Sequence, residues 1–162
     1  MQRLIITALF CLICQICVLA SDSKIIGDIL KAEFPANINI IKTPRGIIAS
    51  FPDDMIFCSD SLSLSPSGKI MLSRISNILK QIENECTIEG HSKEFGKLES
   101  FEVSMIKADI VSEYVINNNP KLHGKVFSVG LGDFDPQNKA ISGNKQFTER
   151  IDIIFFAYDF TR

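Results

Sequence analysis

Few residues in this chain have the types and spacing to do chemistry. Beyond the N-terminal run, the candidates are His91, His123, Cys58, Cys86 and the acids of Asp133-Phe134-Asp135. Zinc needs three or four ligands at characteristic spacing, and Cys58, Cys86, His91 and His123 lack it. A calcium loop opening at Asp133 would need a glycine sixth and a glutamate twelfth, and has neither. Acyl transfer would need a serine on a G-x-S-x-G turn, but the serines cluster in polar loops. No catalytic residue, metal or cofactor is therefore expected, and the chain reads as non-enzymatic. His123 sits in a polar turn and is expected to face solvent. What remains is binding chemistry, concentrated in Thr87 to Lys107, where Gly90, His91, Ser92, Lys93 and Glu94 follow an apolar run.

That stretch has to be positioned by a strand feeding a loop and then a helix. Such a junction presents side chains at the carboxyl edge of a sheet, where ligands commonly sit. After it, Val103, Ile106, Ile110 and Tyr114 recur at steps of three and four, predicting the buried face of a helix that runs to Asn117. Asn117-Asn118-Asn119-Pro120 ends it, since Asn tolerates a left-handed turn and Pro cannot continue a helix.

Upstream, Ser21 to Phe34 has helical spacing stopped by Pro35. Asn37 to Ile41 and Gly46 to Phe51 are short, Ile-rich strands, and Met55 to Cys58 reads as a further one. Ser65-Pro66 is a clear helix start, with Met71, Ile75, Ile78, Leu79 and Ile82 as its buried stripe. Cys86 to Glu89, Lys125 to Gly130 and Arg150 to Tyr158 complete the strands, with a long loop from Leu131 to Phe147. The apolar run Ile153 to Ala157 predicts a central last strand, covered on both faces. Phe155, Phe156, Tyr158 and Phe160 read as core and C-terminal packing. The order of elements gives a single-domain α/β sandwich of βαβαββ type with a mixed sheet.

The chain has 162 residues, 46% of them hydrophobic, and a formal net charge of -2. Met1 to Ala20 has one basic residue, Arg3, an apolar run and a small-residue end, the pattern of a secretory signal. Arg3 is the only charge in it, so residues 21–162 stand at -3, and no Lys/Arg-rich run suggests nucleic acid. Cys11, Cys14 and Cys17 each follow a large residue, so lipidation is not expected. Cys58 and Cys86 fall at opposite sheet edges if their strands run parallel, and buried free thiols are expected.

Several segments taken together resemble the OmpA-like domain, found also in Pal and MotB. R-G-I-I-A-S-F-P-D-D-M-I-F followed by L-S-P-S-G-K-I-M-L resembles that family's opening strand and "L-x-P-x-G/A" helix start. Ile88-Glu89-Gly90-His91-Ser92 resembles "I-E-G-H-T-D", and Val103-Ser104-Met105-Ile106-Lys107-Ala108 resembles "L-S-x-x-R-A". Gly130-Leu131-Gly132 with Pro136 is similar to "G-x-G-x-x-x-P". Thr148-Glu149-Arg150-Ile151-Asp152-Ile153 sits where the family has "N-R-R-V-E-I". With the signal at 1–20 set aside, the resemblance implies an N-terminal helix and strand extension at 21–44 and an OmpA-like domain at 45–162.

Members of that family hold peptidoglycan by the zwitterionic end of diaminopimelate. The Asp of "G-H-T-D" takes the ammonium and the Arg of "L-S-x-x-R-A" grips the carboxylate with two bonds. Carried over by resemblance, the pocket is His91, Ser92, Lys93, Glu94, Ser104, Lys107 and Arg150. Here Lys93 stands at the Asp position and Lys107 at the Arg position. Two like charges about 4 Å apart repel by ~1 kcal/mol in water and ~4 kcal/mol at a semi-exposed site. The expectation is a degenerate pocket, with Lys93 and Lys107 as solvated lysines and Arg150 in an ion pair across the sheet edge. His91 is expected half-buried, holding its loop by a hydrogen bond.

The reading is a periplasmic, outer-membrane-associated structural subunit whose partners are other envelope proteins. An example of such an assembly is the outer-membrane core of a type IV secretion system of Dot/Icm type. The alternative is a working anchor that binds peptidoglycan, with Glu94 replacing the lost carboxylate.

Overall fold

Residues 23–34, 38–59, 62–82, 84–93, 96–134 and 149–157 are described by a computed structural model. The expected signal, Glu94, the loop after Phe134, Tyr158 and Phe160 lie outside them. Helix α1 (Ser23–Glu33) leads into β1 (Asn39–Thr43) and β2 (Gly46–Pro52), followed by the single turn α2 (Asp53–Ile56). Helix α3 (Pro66–Gln81), β3 (Cys86–His91), α4 (Lys97–Asn118), β4 (Val126–Gly130) and β5 (Arg150–Phe156) complete it.

The sheet runs β1-β2-β5-β3-β4, antiparallel throughout except for the parallel pair β3 and β4. β5 is central, as its apolar run requires, and is buried from Arg150 to Phe155. The fold is the mixed-sheet α/β sandwich that the order of elements predicts. One segment differs from expectation: Met55 to Cys58 is not a strand. Asp53 to Ile56 winds into a helical turn, and Phe57 keeps only an isolated antiparallel bridge to Leu64. Four residues are too few for helical and strand periods to be told apart.

Ser65 caps α3 by accepting the Gly68 N–H at 2.9 Å, with Pro66 at the first helical position. Its buried stripe, Leu72, Ile75, Ile78 and Leu79, joins Ile26 and Leu30 of α1 against one face of the sheet. Ile47, Ala49, Phe51, Ile88, Ile151, Ile153 and Phe155 supply that face. Each fully buried Ile, Leu or Phe contributes roughly 1.5–3 kcal/mol, an upper figure for a chain compact when unfolded.

Helix α4 is rotated from the periodicity read in the sequence. Its buried residues are Ser100, Ser104, Lys107, Ala108, Val111 and Val115, whereas Ile106 is exposed and Ile110 and Tyr114 only partly buried. The reason is close approach. A Cβ on Gly90 would lie 2.0 Å from the Ser104 carbonyl oxygen, and one on Gly130 would lie 2.6 Å from the Met105 nitrogen. Small side chains on the helix and missing side chains on the strands let the two backbones meet there. Ser76 Oγ donates to the Val115 carbonyl at 3.0 Å and ties α3 to α4.

Candidate functional site

Gly90 turns its Cβ side to α4, so by strand alternation His91 faces the opposite side of the sheet. That parity divides the predicted pocket. Ser104 and Lys107 lie on the helix side; His91 and Arg150, cross-strand partners, lie on the other.

On the helix side, Lys107 Nζ donates to Asp53 Oδ2 at 3.0 Å, and the Phe57 ring centroid lies 5.9 Å from the ammonium. The side chains are 8% and 20% exposed, so the pair is largely withdrawn from water. Asp53 is set in place by the turn after β2, where its N–H donates to the Glu149 carbonyl at 3.2 Å. Ser104 Oγ accepts the Gly132 N–H at 2.9 Å and donates to the Phe101 carbonyl at 2.9 Å. That hydroxyl latches the loop after β4 to the helix. Ser92 N–H donates to Gly132 O at 3.0 Å and Leu131 N–H to Gly90 O at 2.9 Å, extending the β3–β4 junction.

On the far side, Arg150 Nε donates to Asp152 Oδ2 at 3.0 Å, and His91 Nε2 lies 3.1 Å from the same oxygen. Arg150 Nη2 is 3.3 Å from His91 Nε2. One ring nitrogen cannot donate to Asp152 and accept from Arg150 together, so we assign Nε2–H to the carboxylate. Burial pushes the Asp152 carboxyl up. The hydrogen bond from His91, the charges of Arg150 and His91, and a hydrogen bond from Ser50 outweigh burial and hold it below its ordinary value. Glu89 pairs with Arg45 on this same face.

Of the predicted residues, His91, Ser92, Ser104, Lys107 and Arg150 are buried, and Lys93 is exposed. The expectation of two solvated lysines therefore holds for Lys93 and fails for Lys107. A flat sheet end would have left Lys107 wet, but α4 presses its base against the strands and Asp53 meets its tip. His91 is fully rather than half buried. Arg150 pairs with Asp152 along its own strand and lies beside His91 of β3. His123 is exposed as expected. Cys58 and Cys86 are free thiols, with Cys86 buried and Cys58 exposed, so the burial expectation fails for Cys58. Among the described residues no three His, Cys, Asp or Glu converge as metal ligands, and no helix is long and apolar enough to cross a membrane.

Two carboxylates escaped the sequence reading. Asp152 could have been found: an acid in a buried strand demands a cation, and Arg150 shares its face two residues away. Asp53 gave no such signal, because its partner is 54 residues distant.

The chain is similar in structure to the cell wall anchor of the type VI secretion system from Pseudomonas aeruginosa. That match has a TM-score of 0.66 and 19% identity, covering 82% of this chain and 96% of that one. A putative MotB-like protein from Desulfovibrio vulgaris matches with a TM-score of 0.68 and 16% identity, covering 83% and 90%. An outer membrane protein from Borrelia burgdorferi matches with a TM-score of 0.58 and 26% identity, covering 75% and 99%. Among curated protein sequences none matches. The model of the OmpA family matches residues 56–150, more than half the sequence, and the chain belongs to that family.

Proposed function

We propose that this protein is a non-enzymatic structural subunit of an envelope-spanning assembly, using the OmpA-like fold as a scaffold with a neutralised pocket. The observation that carries this reading is the Lys107–Asp53 ion pair. The cation at the family's carboxylate-gripping position is already matched by a carboxylate of its own chain. A ligand carboxylate would have to displace Asp53 from a partly dry contact, leaving a second negative charge nearby. At the ammonium position, exposed Lys93 repels the group that the family attracts. Arg150, the third inherited cation, is matched by Asp152. The assembly that suits such a subunit is a type IV secretion outer-membrane core, of Dot/Icm type, in the periplasm at the outer membrane.

A second reading has its own support. Asp53 Oδ1 and Ser92 Oγ are buried with no hydrogen-bond partner among the described residues. A free carboxylate oxygen beside a lysine could receive a ligand's ammonium while Lys107 receives its carboxylate, restoring a zwitterion site for peptidoglycan. The two readings give Asp53 opposite roles, which makes it the residue to change.

The test is co-sedimentation of the exported chain with purified sacculi. The scaffold reading expects the native protein to stay in solution. It expects Lys93→Asp with Lys107→Arg and Asp53→Asn, which restores the family's charges, to pellet. The anchor reading expects the native protein to pellet and Asp53→Asn or Glu94→Ala to release it. Native pelleting that Asp53→Asn abolishes would end the scaffold reading.

A further inference from the structure

We propose that the outer edge of β4 and the adjoining exposed row of α4 receive an extended segment of a partner protein as an added strand. That segment alternates apolar side chains and carries lysine or arginine beside them. This surface lies away from the pocket and goes beyond the function proposed above, holding under either reading of it.

β4 ends the sheet and pairs with β3 and no other described strand. Exposed edges are ordinarily blunted by charge, proline or a bulge. The opposite edge follows that rule, with exposed Lys42 inside Asn-Ile-Ile-Lys-Thr. β4 reads Val-Phe-Ser-Val-Gly, with neither charge nor proline. Its Phe127 is 47% exposed, and Val129 beside it is exposed too.

Both flanks of that edge are apolar. Phe127 and Val129 stand on the sheet face turned from α4. On the helix side, a groove of about 510 Å³ is lined by Phe101, Glu102, Met105, Ile106 and Gly130. Gly130 matters because its lack of a side chain lets Met105 of α4 close directly onto the strand, so that helix row and sheet edge form one continuous surface. A strand added here would send alternate side chains to the two faces. One row would fall on Phe101, Met105 and Ile106, the other on Phe127 and Val129, while main-chain bonds continue the ladder.

Charge selects the occupant. Glu102 lines the groove and Asp109 reaches Ser128 of β4, two acids at this edge against Lys125 immediately before the strand. Asp109 is engaged by Ser128 Oγ at 2.5 Å, which keeps a carboxylate at the rim of β4 itself. A second copy of the chain would bring its own Glu102 and Asp109 to the same rim and be repelled. A basic, alternating strand is matched on both counts.

The experiment pans a displayed library of random nine-residue peptides against the full chain, then measures the enriched peptides by fluorescence polarisation. The expected peptides alternate apolar residues, carry Lys or Arg, and protect β4 amides from hydrogen exchange. Met105→Glu and Phe127→Lys, both at exposed positions, should each weaken them about tenfold, as loss of an apolar anchor does. Lys93→Asp, on the pocket loop, should leave binding unchanged, which separates this surface from the pocket. Acidic or non-alternating peptides, binding indifferent to both edge variants, or failure to enrich any peptide would overturn the proposal. Self-association of the chain abolished by Phe127→Lys would also overturn it, because the occupant would then be a second copy.

Discussion

The pocket end of the sheet and the β4 edge invert what their residues suggest. The first is rich in cations, yet Lys107 and Arg150 are buried and matched by Asp53 and Asp152. The second is made of Phe, Val, Met and Ile, the stuff of cores, yet it faces water. Charge turned inward and matched attracts little; apolar surface turned outward costs free energy until something covers it. Lys107 and Met105, two residues apart on α4, belong to these opposite regimes.

The sharpest way to test the contrast is to change both. Lys107→Met strands the Asp53 carboxylate in a partly dry contact. Breaking a buried pair costs 3–5 kcal/mol, and with Asp53 20% exposed the loss expected in urea unfolding is about 2–3 kcal/mol. Lys107→Met with Asp53→Leu should recover most of that loss, because no charge is then left unmatched. A full loss retained in the double variant would mean that the pair is not what Lys107 contributes.

Gly90→Ala probes the contact that buries Lys107. Its new Cβ would meet backbone, the Ser104 carbonyl, so the helix has to lift, at about 2 kcal/mol. An unchanged midpoint would show that α4 rides further from β3 than described.

The Asp152 cluster gives a pH signature. Its folded carboxyl lies below the ordinary value, so its stabilisation is complete above the unfolded value of about 4. It is then lost as pH falls through the lower folded value. Asp152→Asn should flatten the acid limb of the stability profile below about pH 4; a limb of unchanged slope would exclude Asp152 as its source.

Smallest in effect, Met105→Glu and Phe127→Lys should leave the unfolding midpoint within about 0.5 kcal/mol of native, as exposed substitutions do. Thiol labelling offers a check on burial elsewhere. Burial pushes the Cys86 thiol up against a weaker opposing backbone bond from Ile154, so in the native chain Cys58 should label and Cys86 should not. Peptide mapping by mass spectrometry reads both positions, and equal labelling would mean that β3 opens.

Local rules were enough to place most elements. Ser65-Pro66 marked the start of α3, and the apolar run at Ile153 marked β5 as central. They failed on α4, where the apolar spacing of Val103 and Ile106 pointed to the wrong face. Small residues at 100, 104 and 108 were silent, because their value depends on glycines in distant strands. The seven pocket residues were named from motif resemblance alone, and the placing of His91 and Arg150 on one face of the sheet, with Ser104 and Lys107 on the other, followed from the parity of β3.

The sequence by itself determined the strand and helix order and the family, since each is written in neighbouring residues. Only the tertiary structure decided that Lys107 is spoken for, that His91 and Arg150 share a carboxylate, and that β4 pairs with one strand alone among the described residues. Those outcomes turn on residues far apart in the chain arriving within a few ångströms, where ion pairing, desolvation and packing are set by geometry.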